Sequence, residues 1–456
     1  MAQVNKPSEH FNTKLYTGNG STQSITGVGF QPDLTWIKDR SGGNDHQLVD
    51  AIRGATKAVS SNRNDNNTFT NGLTSFDSDG YTLGSNTRYN GSSTNYVGWN
   101  WLAAGTAPSK TYAVTVVSDS GNKYRFDGYG TSAVTLEISE GGTFRFDQSD
   151  SSNSGHPLRF STTSDGTHGG GSEYTTGVTT VGTPGTSGAY TEITVAASAP
   201  TLYYYCSVHS GMGGQANTPT TNSFSNFDGS IQSNISPNST SLFSIVTYTA
   251  TGSNATIGHG LGSIPKMILF RKTNGSPNWA VYHAPVGATK YLELNTTAAE
   301  QTSSTVFNDT EPTSSVFSIG TDNHTSSSSG TYVAYCFAEK KGYSNFGSYT
   351  GNGSTNGPFI YTGFKPAWVL LKISSGTTGS WTLFDNKRDP FNEVDNRLFP
   401  DSSGAEADGN DCDFLSNGFK HRTTGSGTNG SGYSYIYMAF AENPLVGTNN
   451  VPATAR

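Results

Sequence analysis

The heptapeptide Tyr-Thr-Gly-Asn-Gly-Ser-Thr occurs twice, at Tyr16–Thr22 and Tyr349–Thr355, and each copy opens the same ordered run of landmarks. In the first run, Phe30-Gln-Pro32 introduces an apolar stretch ending in Trp36-Ile-Lys38. Arg53-Gly-Ala-Thr-Lys57 and Leu73-Thr-Ser-Phe-Asp-Ser-Asp-Gly-Tyr-Thr-Leu83 follow, and Tyr96-Val-Gly-Trp-Asn-Trp101 closes it. A second run begins at Ile245–Gly252 and places Pro265 before Met267-Ile-Leu-Phe270. It repeats Gly-Ala-Thr-Lys at 287–290 and closes on Tyr332-Val-Ala-Tyr-Cys-Phe-Ala-Glu339. The third puts Pro366 before Trp368-Val-Leu-Leu371, continues through Trp381–Asp385 and Phe414–Phe419, and closes on Tyr435-Ile-Tyr-Met-Ala-Phe-Ala-Glu442. Ordered landmarks in triplicate limit the chain to three versions of one module. Asn19-Gly20 can supply positive φ and predicts a hairpin at the heptapeptide.

Each module is built of short β-branched and aromatic stretches separated by Gly, Asn and Ser turns, the pattern of a β-sandwich or jelly roll. Charged residues are only 13% of the chain, with 55 Gly, 23 Tyr and 24 Phe, and no helix-forming window stands out. The fold class expected is all-β. The organisation expected is an N-terminal arm (1–10), repeat 1 (11–105), an inserted domain (111–218), a linker (219–242), repeat 2 (243–342), repeat 3 (343–444) and a C-terminal tail (445–456) that docks in extended form. Net charge is −7 with Lys and Arg scattered singly. No basic stripe exists to engage nucleic acid. No apolar run is long enough to span a membrane as a helix, and the first residues lack an apolar leader, so export through a signal peptide is not expected.

The inserted domain carries the chemistry. In Tyr203-Tyr-Tyr-Cys206-Ser-Val-His209-Ser-Gly-Met212, a thiol, an imidazole and a thioether follow one another at three-residue steps. One short loop can turn all three to a single point, and His156, in Gly155-His156-Pro157, is available as a second imidazole from a distant loop. Two His, one Cys and a distant Met are the donors of a blue-copper centre.

Around those residues the chain resembles the cupredoxins, the plastocyanin and amicyanin family, over about residues 111–218. Glu140-Gly-Gly-Thr-Phe-Arg-Phe-Asp147, Tyr190-Thr-Glu-Ile-Thr-Val195 and Tyr203–Cys206 look like that family's strands leading into its two ligand loops. The resemblance implies a Greek-key sandwich with His156, Cys206, His209 and Met212 as metal ligands and copper as the cofactor. Two departures stand out: a Gly/Thr/Ser-rich excursion at 161–189 that includes His168, and Gly-Gly-Gln-Ala-Asn after Met212 where a firm closing strand is expected.

The three repeats resemble modules found in structural proteins of marine tailed bacteriophages, tail-fibre-like and particle-surface proteins above all. The residues that carry this are Phe30–Lys38, Phe364–Lys372, Arg53–Lys57, Ser75–Tyr81, Tyr435–Pro444 and the closing Val451-Pro-Ala-Thr-Ala-Arg456. The resemblance implies a virion structural protein, made in the bacterial cytoplasm, mediating assembly contacts and attachment as a fibre, adhesin or capsid decoration. Its implied partners are other virion proteins, further copies of itself in a symmetric oligomer, and a host-surface glycan or protein. The alternative is a copper-binding redox protein on adhesive modules. In a particle protein, metal bound to the folded state as a stabilising clamp is favoured over electron transfer, which would need a partner surface, since nothing in the chain supplies a second redox centre.

A surface glycan hydrolase is the weakest alternative, and no enzymatic activity is expected. Such an enzyme needs two carboxylates about 5–10 Å apart, and the nearest pairs, Asp77/Asp79 and Asp411/Asp413, flank turns and read as solvated. Gly425-Ser-Gly-Thr-Asn-Gly430 matches a phosphate-cradle spacing but is expected to lead into a strand rather than a helix. Trp36, Trp99, Trp101, Trp279, Trp368 and Trp381 could stack on sugars, with core packing the default for each. The cysteines Cys206, Cys336 and Cys412 are too few and too scattered for a disulfide framework. Cys336 reads as buried and Cys412 as more exposed.

Overall fold

A computed structural model describes residues 3–409, 412–447 and 452–454. It is an all-β protein that divides into two compact units. The first contains the three repeats and spans residues 1–103, 237–254 and 261–456. The second contains the insertion, residues 104–236, together with 255–260.

In the first unit each repeat builds the same antiparallel sheet. The order in repeat 1 is Phe11–Thr17, Asn95–Trp101, Leu34–Asp39, Gln47–Asp50; in repeat 2 it is Phe243–Thr249, Thr331–Ala338, Pro265–Lys272, Ala280–His283. Repeat 3 repeats it with Ser344–Thr350, Ser434–Pro444, Phe364–Ser375 and Thr382–Asp385. Cross-strand tyrosines recur at one register: Tyr16/Tyr96, Tyr248/Tyr332 and Tyr349/Tyr435 stack with ring centroids 5.1, 5.2 and 4.9 Å apart.

Alternation along a strand sends successive side chains to opposite faces, and both faces are covered. In the closing strand of repeat 3, Ile436, Met438 and Phe440 enter a core common to all three repeats. Tyr437, Ala439 and Ala441 enter a core private to repeat 3. The shared core centres on a triangle of rings from equivalent positions. Trp101–Phe337, Trp101–Phe440 and Phe337–Phe440 lie 6.4, 5.7 and 6.0 Å apart.

Polar bonds close the ring in one sense. The residue ending each fourth strand reaches the next repeat's closing strand. Tyr335 Oη donates to Asp50 Oδ2 (2.8 Å), His283 Nε2 to the Tyr437 carbonyl (3.0 Å) and Trp99 Nε1 to Asp385 Oδ2 (3.0 Å). The residue preceding each fourth strand points the other way. His46 Nε2 bonds the Phe399 carbonyl (3.1 Å), Trp279 Nε1 that of Ser60 (3.0 Å) and Trp381 Nε1 that of Glu293 (2.8 Å). Three copies thus meet head to tail in a closed pseudo-threefold ring within one chain.

Two of those contacts make the ring acid-sensitive. Burial pushes His283 down to about 4, and burial, then Lys38, hold His46 well below the usual imidazole range. An imidazole with a depressed folded pKa is held neutral, so the unfolded chain binds more protons below its own pKa. Stability is therefore complete above about 6.5 and is lost as the pH falls toward the folded values, roughly 3 kcal/mol for His283 alone. Asp33, which burial pushes up to about 7, acts in the opposite sense over the same window. The loss is therefore read as the difference between wild type and His283→Gln in urea unfolding at about pH 7 and about pH 4.5. The same pH dependence in both would contradict it.

The structure corrects several expectations. The heptapeptide is not a hairpin: Phe11–Thr17 and Gln23–Thr26 belong to different sheets, and the loop passes between them. Asn90 holds it, accepting from the Asn19 amide at 2.9 Å, and Asn429 does the same for Asn352 at 2.9 Å. The described part of the 1–10 arm lies on its own ring, with Val4 in the shared core and its amide on the Lys341 carbonyl at 3.1 Å. The 219–242 segment is not a free linker, because Phe227, Ile231, Ile235 and Leu242 are buried. It carries strands Phe224–Asn226 and Ser233–Asn238, and Phe227 joins the core of the second unit. Cys412 is buried, because its strand Cys412–Leu415 faces repeat 3's private core. Gly425 caps a single helical turn, Ser426–Asn429, before the strand Ser434–Pro444. Of the 445–456 tail, Ala453 donates to the Leu445 carbonyl at 2.8 Å; most of the rest, like Asp411, lies outside the described residues. No helix among the described residues is long and apolar enough to cross a membrane.

The second unit is a sandwich of two five-stranded sheets. One runs Asn122–Phe126, Ser109–Ser118, Thr143–Asp147, Tyr190–Thr194, Val178–Val181; the other runs Leu136–Glu137, Gly214–Asn217, Leu202–Cys206, Leu158–Ser161, Glu173–Tyr174. Tyr112, Phe126, Phe144, Phe146, Phe160 and Tyr204 fill the space between them. Gly214–Asn217 is a paired strand after all, closing on Leu202–Tyr204.

Candidate metal centre

Strand pairing places the donors. Leu158 lies opposite Cys206 in the antiparallel pair Leu158–Ser161/Leu202–Cys206, so His156, two residues ahead, stands over the end of the cysteine's strand. The Ser207 amide donates to the Pro157 carbonyl at 3.1 Å, extending the ladder past Cys206. From there the loop returns to Met212, whose carbonyl accepts from the Tyr124 amide at 3.0 Å.

The result is a convergence of Cys206, His156 and His209. Cys206 Sγ lies 3.9 Å from His156 Nδ1 and 3.7 Å from His209 Nδ1, and one ligand atom from each of the three lies within 4.8 Å of the others. The imidazole centroids are 4.6 Å apart. Cys206 and Met212 are buried in the same apolar core, His156 is half-buried and His209 is exposed. Among the described residues this is the one group of three or more His, Cys, Asp or Glu so gathered.

The donors fit a single ion. Ligand bonds of about 2.0–2.3 Å at trigonal or tetrahedral angles separate two donors by roughly 3.3–4 Å, the range of both sulfur–nitrogen distances. Burial, then the neighbouring His209, lower the His156 pKa, which favours the neutral imidazole that binds metal. Met212, the fourth donor expected from the sequence, ends the same loop and is buried beside Cys206 in the core.

Surrounding residues with no motif of their own fix this arrangement. The His156 carbonyl accepts from Tyr124 Oη (2.9 Å) and Gln148 Nε2 (2.8 Å), while Gln148 Oε1 accepts from the Leu158 amide (3.0 Å). Burial, and then Cys206 beside it, push the Tyr124 phenol up, so it stays a donor. His168 Nε2 lies 3.0 Å from the Cys206 carbonyl. Since a carbonyl can only accept, that nitrogen carries the proton.

The other sequence candidates that lie among the described residues are buried or held by other partners. All six tryptophans are buried, Trp279 included, so none offers a face to a sugar. Asp77 accepts from Ser75 Oγ (2.8 Å) and Thr82 Oγ1 (2.7 Å). Asp79 accepts from the Gly29 and Gly27 amides, and those bonds hold its pKa below the usual range. Asp413 is paired with Arg422.

A family model described as "Domain of unknown function (DUF7483)" matches residues 6–142 and 216–444. The chain belongs to the DUF7483 family. No curated protein and no solved structure matches it. The DUF7483 match takes in the three repeats and the flanks of the insertion, but skips 143–215, where His156, Cys206, His209 and Met212 all lie. The donor set is therefore carried by a segment outside the part matched to the family model.

Proposed function

We propose that this chain is a structural protein of a tailed-phage particle surface whose closed ring of three sandwiches carries a mononuclear copper site in its inserted domain. The gathering of Cys206, His156 and His209 within 4.8 Å carries the copper half of this reading. Bound copper would be held by those three residues and Met212, and it supplies a ligand-to-metal bond that stabilises the folded site and can accept or release one electron. The chain's own part is to favour the neutral His156 imidazole, to bury the Cys206 and Met212 sulfurs, and to leave the edge of His209 open. One copper per chain in native mass spectrometry, absent from His156→Ala, is the expected result; no specific binding would overturn this half.

The virion half is supported by the ring. Its head-to-tail contacts are satisfied within one chain, so contacts to other virion proteins or further copies fall to its outer faces. Phe359, Tyr361 and Phe391 are exposed aromatics there, suited to host-surface attachment. Immunogold labelling of purified particles encoded with this chain is expected to decorate their surface. Unlabelled particles, with the protein free in the lysate, would overturn it.

A further inference from the structure

The loop that runs from Cys206 to Met212 is anchored at its ends, but Ser207 to Gly211 are all exposed. An exposed five-residue span between two ligands is free to let His209 swing away, and lost pre-organisation weakens metal binding. The excursion at 161–189, where the chain departs from the cupredoxin pattern, meets this span at both ends. Its short turn Gly166–Gly169 brings His168 Nε2 to the Cys206 carbonyl at 3.0 Å. Three residues earlier, Asp165 Oδ1 accepts from the Gly211 amide at 2.8 Å.

Two features fit the turn to this task. Asp165 itself sits at φ 57°, a left-handed backbone that directs its carboxylate to the loop. Gly166 lies flat on the Tyr205 ring, where an added Cβ would come within 2.4–2.5 Å of three ring carbons. On the far side, Lys123 Nζ donates to the Gly211 carbonyl, so both polar groups of that glycine are held by side chains.

We infer that the 165–169 turn is a brace for the metal loop, with His168 and Asp165 as positioning residues that hold the backbone of Cys206 and Gly211 so that His209 faces the Cys206 sulfur. The inference rests on the copper reading for its consequence, but not for its geometry. Neither residue touches the donor atoms, and both act through the main chain.

The test uses the full chain with His168→Phe, Asp165→Ala, both together, and His168→Gln, whose amide can donate to the same carbonyl. Cu(II) affinity is expected to fall about 10–100-fold in the double variant. The Cys–Cu(II) absorption band should shift or broaden, and His168→Gln should retain both band and affinity. Amide exchange of metal-free protein is measured in parallel. Exchange across 207–211 should rise at least about 10-fold in the double variant while the strands flanking it stay protected. Wild-type protein that binds copper, with variants unchanged in band, affinity and exchange, would overturn the brace and leave the copper site standing. Wild-type protein without a copper band would overturn the copper site, and the exchange comparison alone would then decide the brace.

Discussion

Asp385→Ala is expected to destabilise the three-repeat ring by about 3–5 kcal/mol, the cost of stranding a buried charge. Asp385 Oδ2 accepts from Arg388 Nε at 2.6 Å and from Trp99 Nε1 at 3.0 Å, and Oδ1 accepts from the amides of Lys387 and Arg388 at 3.0 and 2.9 Å. The Asp385 and Arg388 side chains are both fully buried. Removing the carboxylate leaves a guanidinium, an indole N–H and two amides inside the protein, with Glu406 (3.0 Å from Arg388 Nη1) as the remaining counter-charge. Burial alone would raise the Asp385 pKa, but Arg388 and these hydrogen bonds reverse that and hold it below the usual carboxylate value. Its contribution is therefore complete above the unfolded pKa and is lost as pH falls through the folded one. Lys6→Ala, which removes the exposed pair with Glu9, is the control and should cost less than about 1 kcal/mol. Urea unfolding near neutral pH that ranked the two variants alike would contradict the role given to Asp385.

Trp101→Ala should cost the ring about 3–5 kcal/mol through the cavity it opens. Its ring packs against Phe11, Trp368 and Phe440 with centroids 4.9, 5.7 and 5.7 Å away, so the void touches repeats 1 and 3 and borders Phe337 of repeat 2. Because the core is shared, the three repeats should lose tertiary structure in one transition at a lower temperature. The second unit, with its own core, should keep its transition. Trp101→Phe recreates the residue found at the equivalent Phe337 and Phe440 positions and should cost less than about 2 kcal/mol. Near-UV circular dichroism during melting separates these cases. Loss of repeat 1 alone, with the others intact, would show that the core is not cooperative.

The repeats were legible because their signals are local: a proline opening the third strand, Gly and Asn turns, and alternating bulk in the closing strand. Ring closure was not, since Asp50–Tyr335 and Trp99–Asp385 join residues hundreds of positions apart. A trace of it was present in Asp50-Ala-Ile-Arg53 and Asp385-Asn-Lys-Arg388, where the same acid and arginine recur three residues apart at the end of equivalent strands. The heptapeptide misled because a Gly-rich turn fixes local φ but not which sheet the next strand joins. Cys206 and His209 could be read from donor type and short spacing, and His156, 50 residues earlier, from donor type alone. His168 and Asp165 could not, since they bind main-chain atoms from an aperiodic loop and leave no pattern.

The proposed copper centre is tested most directly by the visible absorption of the purified 456-residue chain during titration with Cu(II), beside Cys206→Ser. An intense Cys-to-copper band at about 600 nm is expected, saturating at one equivalent and absent from Cys206→Ser while that variant stays folded. A flat spectrum from folded wild-type protein, or a band that survives the loss of Cys206, would contradict it.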